Sequence, residues 1–197
     1  MKRLLLVRHG ETAWNAAKVL QGQADIPLSA QGRQQALALA PLVQRWAPTH
    51  VISSDLSRAR DTAALLGWKN APEDARWREA HLGRWTSRPV KELLETEAEH
   101  YQRWRNGQEA PPDGETIMQF RTRVGAALDE LHQHDGNVLV VTHGGVIRAV
   151  LAIVLGLEAE QIVAVDPGSL TMLDFSTNPR LLAYNNTPYV LEAQATD

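Results

Sequence analysis

The chain has 197 residues, a formal net charge of −3 and no cysteine, with 44% apolar and 22% charged residues. That make-up suits one globular domain with a substantial core, and it gives no electrostatic reason to expect nucleic acid or an acidic membrane surface as partner. Without cysteine there is no disulfide framework, no thiolate metal site and no thiol nucleophile.

The first element is a continuous apolar run of buried-strand type over residues 4–7, ending in Arg8-His9-Gly10. The run is shorter than the ~7–15 residues of a signal-peptide core. No stretch approaches the ~18 apolar residues of a membrane span, so a cytoplasmic protein is expected. Ser29 is placed to cap a helix over residues 30–46, with Gln34, Gln35 and Arg45 on its wet side. Pro41 falls inside that helix and is expected to bend or break it. Residues 51–52 form a second short strand, followed by Ser53-Ser54-Asp55 and a helix to about residue 66, stopped by Gly67.

Pro89 suits the first position of a helix reaching about residue 105. Phe120, Val124, Leu128 and Leu131 share one face of a helix that begins near Glu115. Residues 138–141 are a third apolar strand ending in Thr142-His143-Gly144-Gly145, and residues 146–155 an apolar helix closed by Gly156. Residues 170–175 and 181–184 read as a late strand pair. Strands alternating with helices imply an α/β fold, a three-layer sandwich with a mostly parallel central sheet flanked by helices. Nothing divides the chain, so a single domain over residues 1–197 is expected.

In such folds ligands sit at the carboxyl ends of strands. The unusual polar residues follow three successive strands: Arg8-His9, then Ser53 to Arg58, then His143. Those strand ends are expected to converge. The combination suits phosphoryl transfer, which needs cationic donors around phosphorus, one in-line nucleophile and an acid for the leaving oxygen. Arg8 and Arg58 supply planar forks that match phosphate, Arg58 in the first turn of its helix. Asn15 adds an amide donor. His9 can attack through one ring nitrogen if a backbone carbonyl holds the other, and adjacent arginines help keep it neutral. His143 is expected to act protonated, as a donor to the phosphoryl oxygens. His50, His81, His100, His132 and His134 lack that context, and His132 and His134 are read as solvated helix-end residues.

No P-loop, dinucleotide-binding glycine motif, His-Glu-x-x-His zinc helix or Gly-x-Ser-x-Gly elbow occurs. No metal site and no cofactor are expected.

Leu6-Val7-Arg8-His9-Gly10-Glu11-Thr12, with Asn15, resembles the signature of the histidine phosphatase superfamily, in its phosphoglycerate-mutase-like branch. The likeness runs on through residues 22–29, Gly32, Gln35-Ala36, residues 53–59, Thr62-Ala63, Arg78-Glu79, Gly83, Gly114-Glu115-Thr116 and residues 141–145. It implies that His9 is the phosphorylated histidine, with Arg8, Arg58 and His143 completing the phosphate pocket. Glu79 is then the proton donor to the leaving group. Asn15, Gln21, Gly22 and Gly144 are expected as substrate contacts, and residues 80–115 as a cap-like segment over the site.

Two departures stand out. Asp55 replaces a common proline and is expected to add an N-cap, and Thr86-Ser87 follows Gly83-Arg84-Trp85 in place of an acidic-Gly pair. Glu11 and Glu115 are read as loop-fixing residues. Of the cations Arg84, Arg88, Lys91, Arg103 and Arg105, at least half are expected on wet helix faces, and Trp85 and Trp104 are expected to pack.

The resemblance covers both hydrolases and mutases. The short segment between Glu79 and Glu115 favours hydrolysis of a small-molecule phosphate ester over a cofactor-dependent phosphoglycerate mutase. A non-catalytic phosphate-binding protein is the third reading, opposed by the presence of all five core residues. Whether the chain forms a homodimer stays open on sequence alone.

Overall fold

The structure, a computed structural model, describes residues 1–188. Five strands, β1 (Arg3–Arg8), β2 (His50–Ser53), β3 (Asn137–Thr142), β4 (Leu170–Asp174) and β5 (Arg180–Asn186), form one sheet in the order β2-β3-β1-β4-β5. β3 is parallel to both β1 and β2, while β4 is antiparallel to both β1 and β5. The sheet is therefore mixed, with β4 alone running against the other four.

Among the described residues seven α-helices accompany the strands: α1 (Ala13–Ala16), α2 (Ala30–Gln44), α3 (Ser57–Leu65), α4 (Val90–Thr96), α5 (Ala98–Arg105), α6 (Ile117–Leu131) and α7 (Gly144–Leu155). Successive strand residues point to opposite faces, so an unbroken apolar run feeds two cores at once. Leu4, Leu6, Val138 and Val140 pack with Val124 and Leu128 of α6 and Val146 and Val150 of α7. Leu5, Val7, Leu139 and Val141 pack on the other face with Leu39 and Val43 of α2 and Ala59 and Ala63 of α3. Full burial of each large aliphatic side chain stabilises by about 1.5–3 kcal/mol, which holds the three layers together.

Several local expectations need correction. Pro41 does not break α2, which continues to Gln44; the proline lies on the exposed face while buried Leu39 and Val43 anchor the helix on either side. The helix expected over residues 89–105 is two helices. Pro89 is the N-cap of the first, and the chain leaves helical geometry at Glu97, with φ −143° and ψ 35°. There the Glu97 carboxylate accepts from the Trp85 indole N–H at 3.0 Å and from Arg88. Asp55 caps nothing: Leu56 is the N-cap of α3, and the Asp55 carboxylate instead pairs with Arg78 at 2.7 and 2.5 Å. His132 is exposed at the end of α6, but His134 is half-buried, stacked on His50 with ring centroids 3.5 Å apart.

Residues 80–115 gather around a small apolar cluster of their own, Leu82, Trp85, Leu93 and Tyr101, with Trp104 edge-on to Trp85. Ser87 takes a left-handed φ of 70°, and its N–H donates to Leu20 O at 2.8 Å, joining this segment to the loop after α1. Among the described residues no helix is long and apolar enough to cross a membrane.

Candidate active site

β2, β3 and β1 lie side by side in one direction, so the three polar strand ends do converge. Backbone bonds lock them together: His9 N–H donates to Thr142 O at 2.9 Å and Ser54 N–H to Val141 O at 2.9 Å. Above the strand ends is a cavity of about 260 Å³. Arg8, His9, Asn15, Gln21, Gly22, Arg58, Glu79 and Gly144 all line it. His143 does not line the cavity. It is fully buried beneath it, its ring edge-on to that of His9 at 5.1 Å between centroids.

The loop after β1 is shaped by close backbone approaches. A Cβ on Gly10 would stand 2.2 Å from Gly32 O, and one on Gly32 would stand 2.0 Å from Glu11 O. Ser29 caps α2 through Gly32 N–H at 3.0 Å and donates its hydroxyl to the Glu11 carboxylate at 2.9 Å. Glu11 thus fixes the loop, as expected from the sequence. Thr62 of α3 accepts from Gly10 N–H at 3.1 Å and donates to Arg58 O at 2.7 Å, tying the loop of His9 to the helix of Arg58.

His9 Nδ1 meets Gly10 O at 2.7 Å. A carbonyl only accepts, so Nδ1 carries the proton and Nε2 keeps its lone pair. Burial pushes the imidazole well below its ordinary pKa, and the Arg58 and Arg8 guanidiniums push it further. His9 is therefore neutral at neutral pH. His143 is held down in the same way, first by burial and then by Arg58, His9 and Arg8. The protein groups alone thus favour a neutral His143, contrary to the protonated state read from sequence. Its Nε2 lies 2.9 Å from the Ser54 hydroxyl, and its buried Nδ1 has no partner among the described residues.

Arg58 is 1% exposed, with Nη1 donating to Ala24 O at 2.7 Å and Nη2 to Gly22 O at 2.8 Å. Burial lowers its pKa to about 10, opposed by the charges of Glu79 and Asp25, so it remains cationic at pH 7. Arg8 donates through Nη1 to Val165 O. The Nε atoms of Arg8 and Arg58 are buried with no partner among the described residues, like His143 Nδ1. Buried donors without acceptors are rare and call for an explanation. Asn15 and Gln21 both commit their side-chain oxygens to Thr12, at 3.0 and 2.9 Å, which leaves their amide nitrogens as the donors.

The Glu79 carboxylate accepts from Ala80 N–H at 2.9 Å and from Gly145 N–H, in the first turn of α7, at 3.0 Å. Two residues that position it carry no obvious sequence signal. A Cβ on Gly145 would lie 2.1 Å from Glu79 Oε1. Arg123 of α6 donates to Arg76 O at 2.8 Å, Arg78 O at 3.0 Å and Glu79 O at 3.4 Å while pairing with Glu115 at 2.7 Å. The doubled glycine at 144–145 was visible in the sequence, but only the approach of a distant carboxylate shows which glycine is constrained.

Of the outer cations, Arg84, Arg88, Lys91 and Arg103 pair with Asp113, Glu92, Glu95 and Glu109 respectively. Arg105 lines the cavity, as do Trp104 and, from α7, Arg148. Trp85 is buried in the segment's own core. Among the described residues no group of three or more His, Cys, Asp or Glu side chains is placed to hold a metal ion.

A mixed α/β sandwich with a half-buried arginine beside a buried histidine, and a second arginine and a second histidine at adjoining strand ends, is the architecture of one class of phosphoryl-transfer domains. The chain belongs to the histidine phosphatase superfamily, branch 1, whose model matches residues 4–187. It is 36% identical over 191 residues to a probable phosphoglycerate mutase GpmB of Yersinia enterocolitica, covering 92% of this chain and 88% of the relative. The mycobacterial glucosyl-3-phosphoglycerate phosphatase solved with VO3 is similar at 33% identity and a TM-score of 0.87, over 94% of this chain and 99% of that one. TTHB049 from Thermus thermophilus aligns at 34% identity and a TM-score of 0.76, over 92% and 97% of the two chains.

Proposed function

We propose that the chain hydrolyses a small-molecule phosphomonoester without a metal, through a phosphohistidine on His9. The observation that carries this reading is the state of His9: neutral, tautomer fixed by Gly10 O, and flanked by buried Nε atoms of Arg8 and Arg58 that have no acceptor among the described residues. A phosphoryl group supplies acceptors for the two guanidiniums, which both line the cavity. Its arrival, bringing negative charge against His143, raises that imidazole's proton affinity and restores its role as donor.

In the first step His9 Nε2 forms a bond to phosphorus as the ester P–O bond breaks in line. Glu79 passes its proton to the departing oxygen, so the product leaves as an alcohol. In the second step water attacks phosphorus, the Glu79 carboxylate takes its proton, and the P–N bond returns its electrons to His9. Arg8 and Arg58 bear the charge of the equatorial oxygens throughout. Residues 80–115, which contribute Ala80, Leu82, Trp104, Arg105 and Gly107 to the cavity wall, act as a cap that shields the phosphoenzyme and meets the leaving group.

The named relatives include both a probable mutase and a phosphatase, which keeps a mutase reading in play. One experiment separates the two: phosphate release from a panel of phosphomonoesters, with chelator, for the wild type and His9→Ala. Turnover that survives chelation and vanishes with His9 supports the hydrolase. Transfer of label between positions of phosphoglycerate with negligible phosphate release supports the mutase.

A further inference from the structure

β5 closes one side of the sheet, and its pairing with β4 is irregular. Leu170 faces Asn186 while Met172 faces Ala183, so Tyr184 and Asn185 together stand opposite Thr171 alone. Two residues against one make a β-bulge, a device that re-aims side chains beside functional sites. Asn185 takes a left-handed φ of 51°, a conformation that asparagine tolerates better than most residues. Its N–H donates to Thr171 Oγ1 at 3.4 Å.

The re-aimed amide meets Asp166 through both of its ends. Asn185 Oδ1 accepts from Asp166 N–H at 2.6 Å, and Nδ2 donates to Asp166 Oδ2 at 2.8 Å. Tyr184, its companion in the bulge, donates its hydroxyl to Val163 O. The bulge thus grips the segment that leads into β4 at two points.

That segment is the seat of Arg8. Val165 O accepts from Arg8 Nη1, and Ser169 O accepts from Arg8 N–H at 3.1 Å. Gly168 N–H donates to Arg8 O at 3.2 Å and to His9 O at 3.0 Å. Val165 is buried and lines the cavity beside Arg8. Burial lowers the pKa of Arg8 and the charges of Glu79 and Asp166 oppose that, so the carboxylate held by Asn185 also bears on the guanidinium. An arginine meets a phosphoryl group as a planar fork, and the tilt of that plane matters as much as the charge. A side chain anchored to a carbonyl follows the carbonyl when it moves. A displacement of about 1 Å is enough to cost on the order of 10²-fold in a catalytic site.

We propose that Asn185 is a positioning residue for Arg8: through Asp166 it fixes the Val165 carbonyl, and through that carbonyl the plane of the guanidinium. Its role rests on the reading of Arg8 as a phosphate ligand.

Asn185→Gly removes the amide without changing charge and leaves the backbone free to hold a positive φ. Inorganic phosphate, titrated by calorimetry, reports on the pocket whether or not esters are turned over. In Asn185→Gly the Kd for phosphate is expected to rise about 10-fold, the scale of a charge-assisted hydrogen bond misplaced. With Arg8→Lys there is no fork left to orient. In that background the same substitution is expected to change Kd by no more than about twofold, the range within which independent sites add. Asn185→Asp, nearly isosteric, sets an oxygen against Asp166 Oδ2 and serves where the glycine variant folds poorly. Simple repulsion of phosphate by the new charge persists in the Arg8→Lys background, so the difference between backgrounds is what counts.

A Kd unchanged within about twofold in both Asn185 variants overturns the proposal. So does an equal loss in the two backgrounds, which assigns Asn185 to the fold alone. A wild type that binds no phosphate refutes the reading of the pocket itself, and the positioning role falls with it. A wild type that binds phosphate but hydrolyses no ester refutes the hydrolase reading only, and the difference between backgrounds still decides for or against Asn185.

Discussion

Gly145 and Glu79 touch across 66 residues of chain: the glycine N–H donates to Glu79 Oε2 at 3.0 Å, and a Cβ in its place would stand 2.1 Å from Oε1. No heavy-atom pair tolerates that approach, so a side chain at 145 must drive the carboxylate from its seat. Gly144 is different, since its Cβ would find nothing closer than Arg8 Nε at 3.6 Å. Gly145→Ala is therefore expected to lower kcat on alkyl phosphates by about 10²-fold, the usual scale for losing a general acid. On aryl phosphates, whose leaving oxygens need little protonation, the loss should be severalfold at most. Gly144→Ala should be milder on both. Steady-state kinetics on paired alkyl and aryl esters decides the matter, and equal losses on the two classes would remove Glu79 from the acid role.

Arg58 is held by two carbonyls, Gly22 O and Ala24 O, and its Nε has no other partner among the described residues. Arg58→Ala is expected to lose on the order of 10²–10³ in kcat/KM, as for other donors to a charged transition state. Arg58→Lys keeps a charge but not a fork that reaches both carbonyls, and it should recover only part of the loss. Near-normal kcat/KM in the alanine variant would show that Arg58 does not meet the phosphoryl group.

The two buried histidines also set a pH dependence of stability. Both are held well below the ordinary imidazole range, chiefly by burial. In the unfolded chain each takes up a proton near pH 6.5, while in the fold each stays neutral to lower pH. The unfolded state then binds more protons, so stability falls as pH drops below about 6.5 and continues to fall until the folded-state pKa is reached. Each such histidine adds up to ~1.4 kcal/mol per pH unit in that window. His50, lowered by burial and then by the neighbouring His134, adds to the same slope. Carboxylates held low, such as Asp55 by Arg78, lose their contribution only below about pH 4. Urea midpoints at pH 7.5 and 5.5 should therefore fall for the wild type and fall less for His143→Gln. An identical drop in that variant would mean that His143 is not buried neutral.

The layers and the converging strand ends were legible because burial on both faces writes itself as uninterrupted apolar runs, as at Leu4 to Val7 and Val138 to Val141. Arg8, His9 and Arg58 were legible as residue types beside those runs, with Asn15 as a nearby amide, whereas Glu79 was singled out by the family resemblance alone; the cavity brings all five together. What escaped was set by partners far away in the chain. Glu97 breaks a helix because Trp85 and Arg88 claim its carboxylate. Asp55 turns from capping to Arg78 for the same reason. Arg123 reads as the polar face of an amphipathic helix and is instead the clasp on residues 76–79. The neutrality of His143 depends on complete burial beneath two arginines, which no local pattern encodes.

That clasp makes the last prediction. Arg123 satisfies three carbonyls on the chain leading to Glu79 and two oxygens of Glu115, whose other contact is His81 N–H at 3.2 Å. It touches none of the reacting groups and acts only through the placement of Glu79. Arg123→Ala frees those carbonyls in a partly buried setting and is expected to cost about 2 kcal/mol of stability. In a domain of this size that is a fall in Tm of roughly 4–8 °C. A purely structural role would stop there, at temperatures where the variant is folded. A positioning role adds a chemical signature: kcat should depend more steeply on the leaving-group pKa, because protonation of the departing oxygen is what has been impaired. Rates across a series of aryl and alkyl phosphates at 20 °C measure that slope. A slope equal to the wild type's, with Tm lowered, would assign Arg123 to the fold and not to the reaction.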